Sequence, residues 1–359
     1  MSYKTKKIFS LPFTGFFFLL ISGVFFPASP AHCGQRVFIL HSYERGHVCG
    51  QPQHDGAVAA LEENGFATGK NMTLSTYYMD TKRKNNTPKL IKEQARLARE
   101  KIREFDPDVL ITLDDNAFAH VGLEFVDSGM PVIFCGLNGQ PEDYNRQKKF
   151  MESRKHPGHN ISGVYEKLHI SDAARIHFKL FPDPGKMLFL VDKSPTGRAI
   201  KKQMLLEIKN QGLVCDWEMQ TIASWEDYKK TIRAANSSPE IGVIYPAALL
   251  LKDSQGKTYT APEIFAWTVQ HSKQPEIALN YSFTHMGLFG GAAVDFHAMG
   301  KQAGRMAAKV LEGKKAGDLP IEEARKYALA FNLDRAEQLG IEIPEDVILA
   351  ADEVVRNND

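Results

Sequence analysis

Short β-rich runs alternate with longer stretches at helical spacing along most of this chain. That alternation constrains it to βαβ units built around parallel sheets. The first runs are Arg36–His41, Thr73–Tyr78, Val109–Leu113 and Val132–Cys135. Between the second and third, Leu90, Ile91, Ala95, Ala98, Ile102 and Phe105 recur at steps of three and four, which predicts a helix over Lys89–Phe105 with one face on a sheet. Asp106-Pro107 ends that helix, because proline pushes the residue before it out of the right-handed helical region.

A polar stretch from Gln140 to Asn160, with Pro141, Pro157 and Gly158, interrupts the alternation and reads as a first crossing between lobes. A second series follows. Its helices are His169–Phe181, Thr196–Gln211, Trp225–Ala235 and Ala261–Ser272, and its strands are Met187–Val191, Val214–Thr221, Ile241–Tyr245 and Glu276–Asn280. A helix over Ala298–Glu312 presents Met299, Ala303, Met306 and Val310 on one face, and strand Tyr327–Asn332 and short helices around Ala336 and Val347 close the chain. The expected fold is α/β, two doubly wound parallel-sheet lobes joined by a multi-strand hinge. Lobe one covers 36–160 and is completed by the tail from about 314 to 359; lobe two covers 161–313. No repeat of 20–50 residues is present, which excludes a solenoid.

Residues 1–31 have the order of a secretory signal: Lys4, Lys6 and Lys7, an apolar run from Phe16 to Phe26, then Pro27-Ala28-Ser29-Pro30-Ala31. The unbroken run is shorter than the ~20 residues a membrane span needs, so cleavage is expected over a retained anchor. His32 before Cys33, and Pro30 three before it, do not suit lipidation. The expected location is periplasmic or otherwise extracytoplasmic. Lys and Arg number 44 against 43 Asp and Glu, and removal of the three N-terminal lysines leaves the chain slightly acidic. Such a balance offers no basic face to displace counterions from phosphates, so nucleic acid is not an expected partner. The four cysteines, Cys33, Cys49, Cys135 and Cys215, form no close pair of the kind zinc ribbons and thioredoxin-like centres need. They read as packing residues, with a Cys49–Cys135 bridge left open.

In open parallel sheets, ligands bind beyond the carboxyl ends of the strands, where helix N-termini point into a crevice. The candidates there are Ser42, Tyr43, Asp114, Asp115, Asn116, Gly136 and Asn138 in lobe one. In lobe two they are Ser194, Thr196, Gly197, Tyr245, Pro246 and Ala247, with Gly290 further on and Asp295 at the rim. Hydroxyls and amides at such places bind a small polar molecule or cap the adjoining helix, the second being worth ~1 kcal/mol to the helix. Adjacent Asp114 and Asp115 repel one another after an apolar strand, and an acid facing the crevice suits an amino or hydroxyl group on a ligand. Tyr43, Tyr245 and Phe289 either stack on a flat ligand or pack the core.

Catalytic signatures are missing. The chain has no Gly-x-Ser-x-Gly elbow, Walker loop or Rossmann glycine pattern, and Gly46-His47-Val48-Cys49-Gly50 lies several residues past its strand. His41, His47, His54, Asp114 and Asp115 match no metal-ligand spacing, so neither metal nor cofactor is expected. An exported hydrolase using Cys49 or the Asp114-Asp115 pair is the remaining enzymatic alternative.

The C-terminal third narrows the choice. Gly290-Gly291-Ala292-Ala293-Val294-Asp295-Phe296-His297-Ala298-Met299-Gly300, then Ala303-Gly304-Arg305-Met306 through Glu312-Gly313, and Asp318-Leu319-Pro320 resemble the substrate-binding proteins of ABC transporters, in the group that includes tryptophan- and tyrosine-type importers. Asn332, Ala336, Leu339-Gly340, Ile343-Pro344 and Ala351-Asp352-Glu353-Val354 resemble that family's closing signature. The resemblance implies a type I periplasmic-binding-protein fold, two lobes joined by three strands that close on a small-molecule ligand and present it to a membrane permease. It implies a binding protein, not an enzyme, and a monomer is expected. Asp114-Asp115-Asn116-Ala117 departs from the hydroxyl and Pro/Ala loop of the family's aromatic amino-acid binders, and Gly136-Leu137-Asn138-Gly139-Gln140-Pro141 from their Asp-Pro loop. Related lobes also serve as extracytoplasmic sensors, which keeps a ligand-sensing subunit as the alternative role.

Overall fold

The computed structural model describes residues 1–3, 34–181 and 185–356. Residues 4–31 of the expected signal segment, and Cys33, lie outside the described residues. From residue 34 the elements run β1 (Gln35–His41), α1 (Gly50–Glu63), β2 (Met72–Tyr78), α2 (Pro88–Phe105), β3 (Val109–Leu113), α3 (Asp114–His120), β4 (Val132–Leu137), α4 (Pro141–Asn145) and β5 (Ile161–Tyr165). The chain continues with α5 (Ile170–Leu180), β6 (Lys186–Asp192), α6 (Pro195–Gln211), β7 (Trp217–Ile222), α7 (Trp225–Ser237) and β8 (Ile241–Ala247). Next come the hairpin β9 (Leu250–Lys252) and β10 (Thr258–Thr260), α8 (Ala261–His271), β11 (Gly290–Val294) and α9 (Phe296–Leu311). The last elements are β12 (Glu322–Glu323), β13 (Tyr327–Asn332), α10 (Leu333–Leu339), α11 (Glu345–Leu349) and β14 (Glu353–Val355).

The first sheet is wholly parallel, in the order β12-β5-β4-β3-β1-β2, with Val37 opposite Val109 and Val132 opposite Ile161. Its central strands are continuous apolar runs because helices cover both faces, and every residue of β3, β4 and β5 is buried. Helix α2 starts where Thr87 accepts from the Leu90 N–H and Pro88 occupies the first turn. It ends at Asp106, which leaves the helix through the left-handed region at φ 47°.

The second sheet begins as parallel β7-β6-β8. Parallel bridges from Ile244 to Glu276 and from Asn280 to Val294 carry the order on to β11, to which β13 pairs antiparallel, with β14 beyond it. This is the α/β arrangement of two largely parallel sheets that the alternation required.

Sheet membership corrects the expected lobe limits at three places. Strand β5, assigned to lobe two, pairs with β4, so 140–160 is not a crossing and the chain leaves the first sheet only between Tyr165 and Ile170. Helix α9, assigned to lobe two, lies on the first sheet against α1. The contact is backbone to backbone: a Cβ on Gly300 would stand 2.1 Å from the Gln53 carbonyl oxygen, and one on Gly304 2.4 Å from that of Ala57. Of the tail, only the part through β12 joins the first sheet, where the Ser162 hydroxyl donates to the Leu319 carbonyl at 2.8 Å. Strands β13 and β14 belong to the second sheet because residues 327–331 pair with β11 and residues 330–332 with β14. The chain therefore passes between the sheets three times, at 165–170, 294–296 and 323–327.

Candidate functional site

The carboxyl ends of β1, β3 and β4 bring Ser42, Asp114 and the 136–140 turn together on the first lobe. Helix α3 follows β3 without a loop, which forces Asp114 to φ 65°, a left-handed conformation that is costly for a residue with a side chain. Asp114 is 2% exposed. One of its oxygens accepts from the Gln53 amide at 3.1 Å, and the other has no hydrogen-bond partner among the described residues. Burial, and then the neighbouring Asp115, push its carboxyl up to about 7; the Gln53 bond and Lys82 pull the other way.

Asp115 is committed differently. It accepts from the Asn138 N–H at 3.1 Å, the Asn138 side-chain amide at 2.8 Å, the Gly139 N–H at 3.3 Å and the Tyr144 hydroxyl. Asn138 and Asp115 thus fasten the β4–α4 turn to α3. Gly136 is needed there at φ 74°, since a Cβ would meet the Gln53 amide at 2.6 Å. Ser42 donates to the Leu113 carbonyl and accepts from the Ala117 N–H, both at 2.8 Å, so its hydroxyl caps α3. Asn116 donates to the Thr81 hydroxyl at 2.8 Å. Half-buried Tyr43 packs on His47, and the Lys82 ammonium lies over its ring at 5.3 Å.

Behind Asp114, His41 bonds His54 through Nε2 at 3.0 Å and packs on Tyr78. Burial, and then His54 and His47, hold His41 neutral by lowering its pKa to about 3. Its Nδ1 has no partner among the described residues, and a Cβ on Gly50 would touch both this atom at 3.3 Å and the unpartnered Asp114 oxygen at 3.7 Å. The two atoms therefore flank one point at the start of α1.

On the second lobe, Tyr245 is fully buried on β8, packs against Phe189 and has a hydroxyl without a partner among the described residues. Pro246 and Ala247 complete the same strand end and are buried. Ser194 caps α6 by accepting from the Gly197 N–H at 3.0 Å, Thr196 is exposed, and a Cβ on Gly197 would strike Asp192 at 2.3 Å. Asp295, in the second crossing, accepts from the Ala298 N–H at 2.8 Å and caps α9. Gly290 is corrected as a crevice residue. Because β11 runs parallel to 276–280, its crevice end is Val294, and Gly290 stands four residues away, roughly 13 Å at strand rise.

The pattern of strand ends does not reach three further groups. Glu166 follows β5 directly, is 5% exposed, and has a carboxyl pushed well up by burial and then by Asp114, Asp115 and Glu207. Gln53 lies on α1, which the strand-end rule does not survey. Asn280 carries its own signal as the last residue of a predicted strand, and its side-chain oxygen is buried without a partner.

The lobes meet in contact. Gln140 donates its side-chain amide to Gln203, Lys202 pairs with Asp143 at 2.6 Å, and a groove of about 220 Å³ lies between Asn138–Asp143 and Arg198–Gln203. Gln203 donates on to Glu207 at 2.9 Å, and Glu207 accepts from the Leu168 and Ile170 N–H groups of the first crossing. The Cys49 thiol is pushed up by burial and by Asp114, which keeps it protonated, and Cys49, Cys135 and Cys215 are all free thiols. Among the described residues no group of three or more His, Cys, Asp or Glu is placed to hold a metal ion.

Comparison with known proteins gives a consistent result. A structure titled the ABC domain in complex with L-Trp, from Streptococcus pneumonia, superposes with a TM-score of 0.64 at 18% identity, covering 90% of this chain and 100% of that one. An open, ligand-free substrate-binding protein with adhesive properties from Clostridium difficile superposes at 0.66 with 17% identity, covering 90% and 99%. In sequence, a tyrosine-binding protein of Clostridioides difficile (strain R20291) is 21% identical over 197 residues, 54% of this chain and 53% of that protein, so the match spans about half the length of the relative. The family described as ABC transporter substrate binding protein matches residues 50–355. With a family match over most of its length and a fold shared with such proteins, this chain belongs to the family of ABC transporter substrate-binding proteins.

Proposed function

We propose that this protein is the exported solute-binding component of an ABC-type importer, capturing a small polar or aromatic-bearing metabolite between its lobes and delivering it to a membrane permease. The observation that carries this reading is the pair of buried, unpartnered polar groups presented by opposite lobes, the Asp114 carboxyl from β3 and the Tyr245 hydroxyl from β8. Leaving such groups unmet costs about 1–3 kcal/mol each, a cost that a ligand touching both lobes removes. Closure follows from that differential: the shut state is stabilised by contacts that the open state does not make.

The residue roles divide accordingly. Asp114, Tyr43 and Tyr245 contact the solute; Asp115, Asn116, Asn138, Ser42, Ser194, Gly197 and Asp295 hold the loops that shape the crevice. The chemistry is binding without turnover, a reading supported by the Cys49 and Cys135 thiols, both held protonated by burial and by Asp114.

A melting screen against a metabolite library tests the reading. A true ligand at a hundredfold excess over its Kd stabilises by about 2.7 kcal/mol and is recovered unchanged. Tyrosine and L-Trp, named for two relatives, belong in the first plate. A library that shifts no transition, or a compound recovered as product, overturns it.

A further inference from the structure

The crevice is rich in acceptors and has few donors left to offer. Backbone N–H groups at strand ends and helix starts are what a ligand carboxylate would use. Here the chain's own acids occupy them. Asp115 takes those of Asn138 and Gly139, and Asp192 takes those of Ser194, Leu249 and Leu250. Glu207 takes those of Leu168 and Ile170.

Nearby side-chain cations are engaged as well, though Lys82 still acts on Asp114. Lys202 is paired with Asp143 at the rim, Arg198 donates to the Lys193 carbonyl, and exposed Lys82 lies over the Tyr43 ring. Among the described residues, the buried polar atoms without a partner include an Asp114 oxygen, the Gln53 and Asn280 side-chain oxygens, His41 Nδ1 and, on the second lobe, the Tyr245 hydroxyl. Glu166, also buried, adds a further carboxyl for which no hydrogen bond from the described residues forms, and its electrostatic neighbours are Asp114 and Asp115 in one lobe and Glu207 in the other.

We propose that this crevice selects a protonated amine that carries no carboxylate, its ammonium donating to Asp114 and to the side-chain oxygen of the adjoining Gln53. The inference rests on the crevice being the solute site. An ammonium offers three donors and no acceptor, which matches the unpartnered set. An amino acid brings in addition a carboxylate, for which the backbone donors of Asn138, Gly139, Ser194, Leu249 and Leu250 are already taken, and burying it unmet is costly. Glu166, whose carboxyl is pushed up by burial and by the same acids, becomes easier to ionise once a cation is bound beside it.

Isothermal titration of the purified protein with matched compounds tests this: tyramine against L-tyrosine and 4-hydroxyphenylacetate, tryptamine against L-tryptophan and indole-3-acetate, and putrescine and spermidine as aliphatic amines. At least one amine is expected to bind tenfold or more tightly than any carboxylate-bearing compound. Asp114→Asn, of the same shape, should weaken that amine at least tenfold, and Glu166→Gln supplies a second variant if the first does not fold. An amino acid or acid that binds as tightly as its amine overturns the inference, as does amine binding unchanged in both variants. If no amine of the panel binds but another library compound does, the cation selectivity is wrong and the solute-binding reading stands. If nothing binds, both fall.

Discussion

Gln140 of the first lobe donates its side-chain amide to Gln203 of the second, and Gln203 passes the connection to Glu207, which grips the Leu168 and Ile170 backbone of the first crossing. Arg154 completes the chain by donating to the Gln140 side-chain oxygen at 2.7 Å. A relay of side chains thus links closure at the rim to the position of the hinge.

Removing its middle member should loosen the shut state without unfolding either lobe. Gln203→Ala is expected to weaken solute binding roughly three- to tenfold, the worth of one net hydrogen bond. Small-angle scattering of the unliganded protein should show a larger radius of gyration than the parent. An unchanged radius together with unchanged affinity would remove the relay from the closing mechanism.

Asp114 gives a pH dependence of defined sign. Its folded value of about 7 lies above the ordinary 3.8, so the folded chain holds the proton more tightly than the unfolded one. Stability present at low pH is lost as pH rises from about 4 through about 7, at about 1.4 kcal/mol per unit of difference. His41 and His47, held near 3, act in the opposite sense below about 6.5, which a comparison with a variant cancels. Asp114→Asn should therefore gain in Tm on the parent between pH 5 and pH 8. A constant difference across that range would contradict the assignment.

Arg335 and Glu276 form a buried pair with two bonds, at 2.6 and 3.1 Å, and the same guanidinium donates to the Val269 and Ser272 carbonyls at the end of α8. Arg335→Met removes the cation that pairs with Glu276 in the core, where burial already pushes its carboxyl up. A loss of about 3–5 kcal/mol in urea unfolding is expected. Replacing both residues by apolar ones should recover most of it.

The α1–α9 contact is similarly exposed to a single methyl group. Gly300→Ala places that methyl 2.1 Å from the Gln53 carbonyl oxygen, so the helices must separate. Overpacking of this kind costs about 1–3 kcal/mol. Because Gln53 also donates to Asp114, the solute affinity should fall with stability, a coupling that titration of the folded variant measures.

Strands with both faces covered were legible, because their residues are apolar throughout: Val109–Leu113 and Tyr327–Asn332 stand where the runs of Val, Leu and Phe place them. Strand β5 was not. Gly163 breaks its apolar run, and the reason for that glycine is tertiary, since a Cβ would lie 2.2 Å from the Phe134 carbonyl oxygen. Missing β5 moved the crossing twenty residues too early and left Glu166 unnoticed. The destination of α9 was equally hidden, as its apolar face fits either sheet and only Gly300 and Gly304 mark a neighbour that approaches at backbone distance. Asp114 and Asp115 were visible as a pair, while their division into one free and one fully engaged acid depends on Asn138 and Tyr144, which arrive from another strand.

The threefold passage of the backbone has an outcome for biosynthesis. Helix α1 is made early, but the surface of it that Gly300 and Gly304 fit against stays bare until Leu311 has emerged from the ribosome. Neither lobe is finished when its own first strands are, so a chain stalled or cleaved shortly after Val294 leaves two incomplete halves, not one sound lobe and one damaged one.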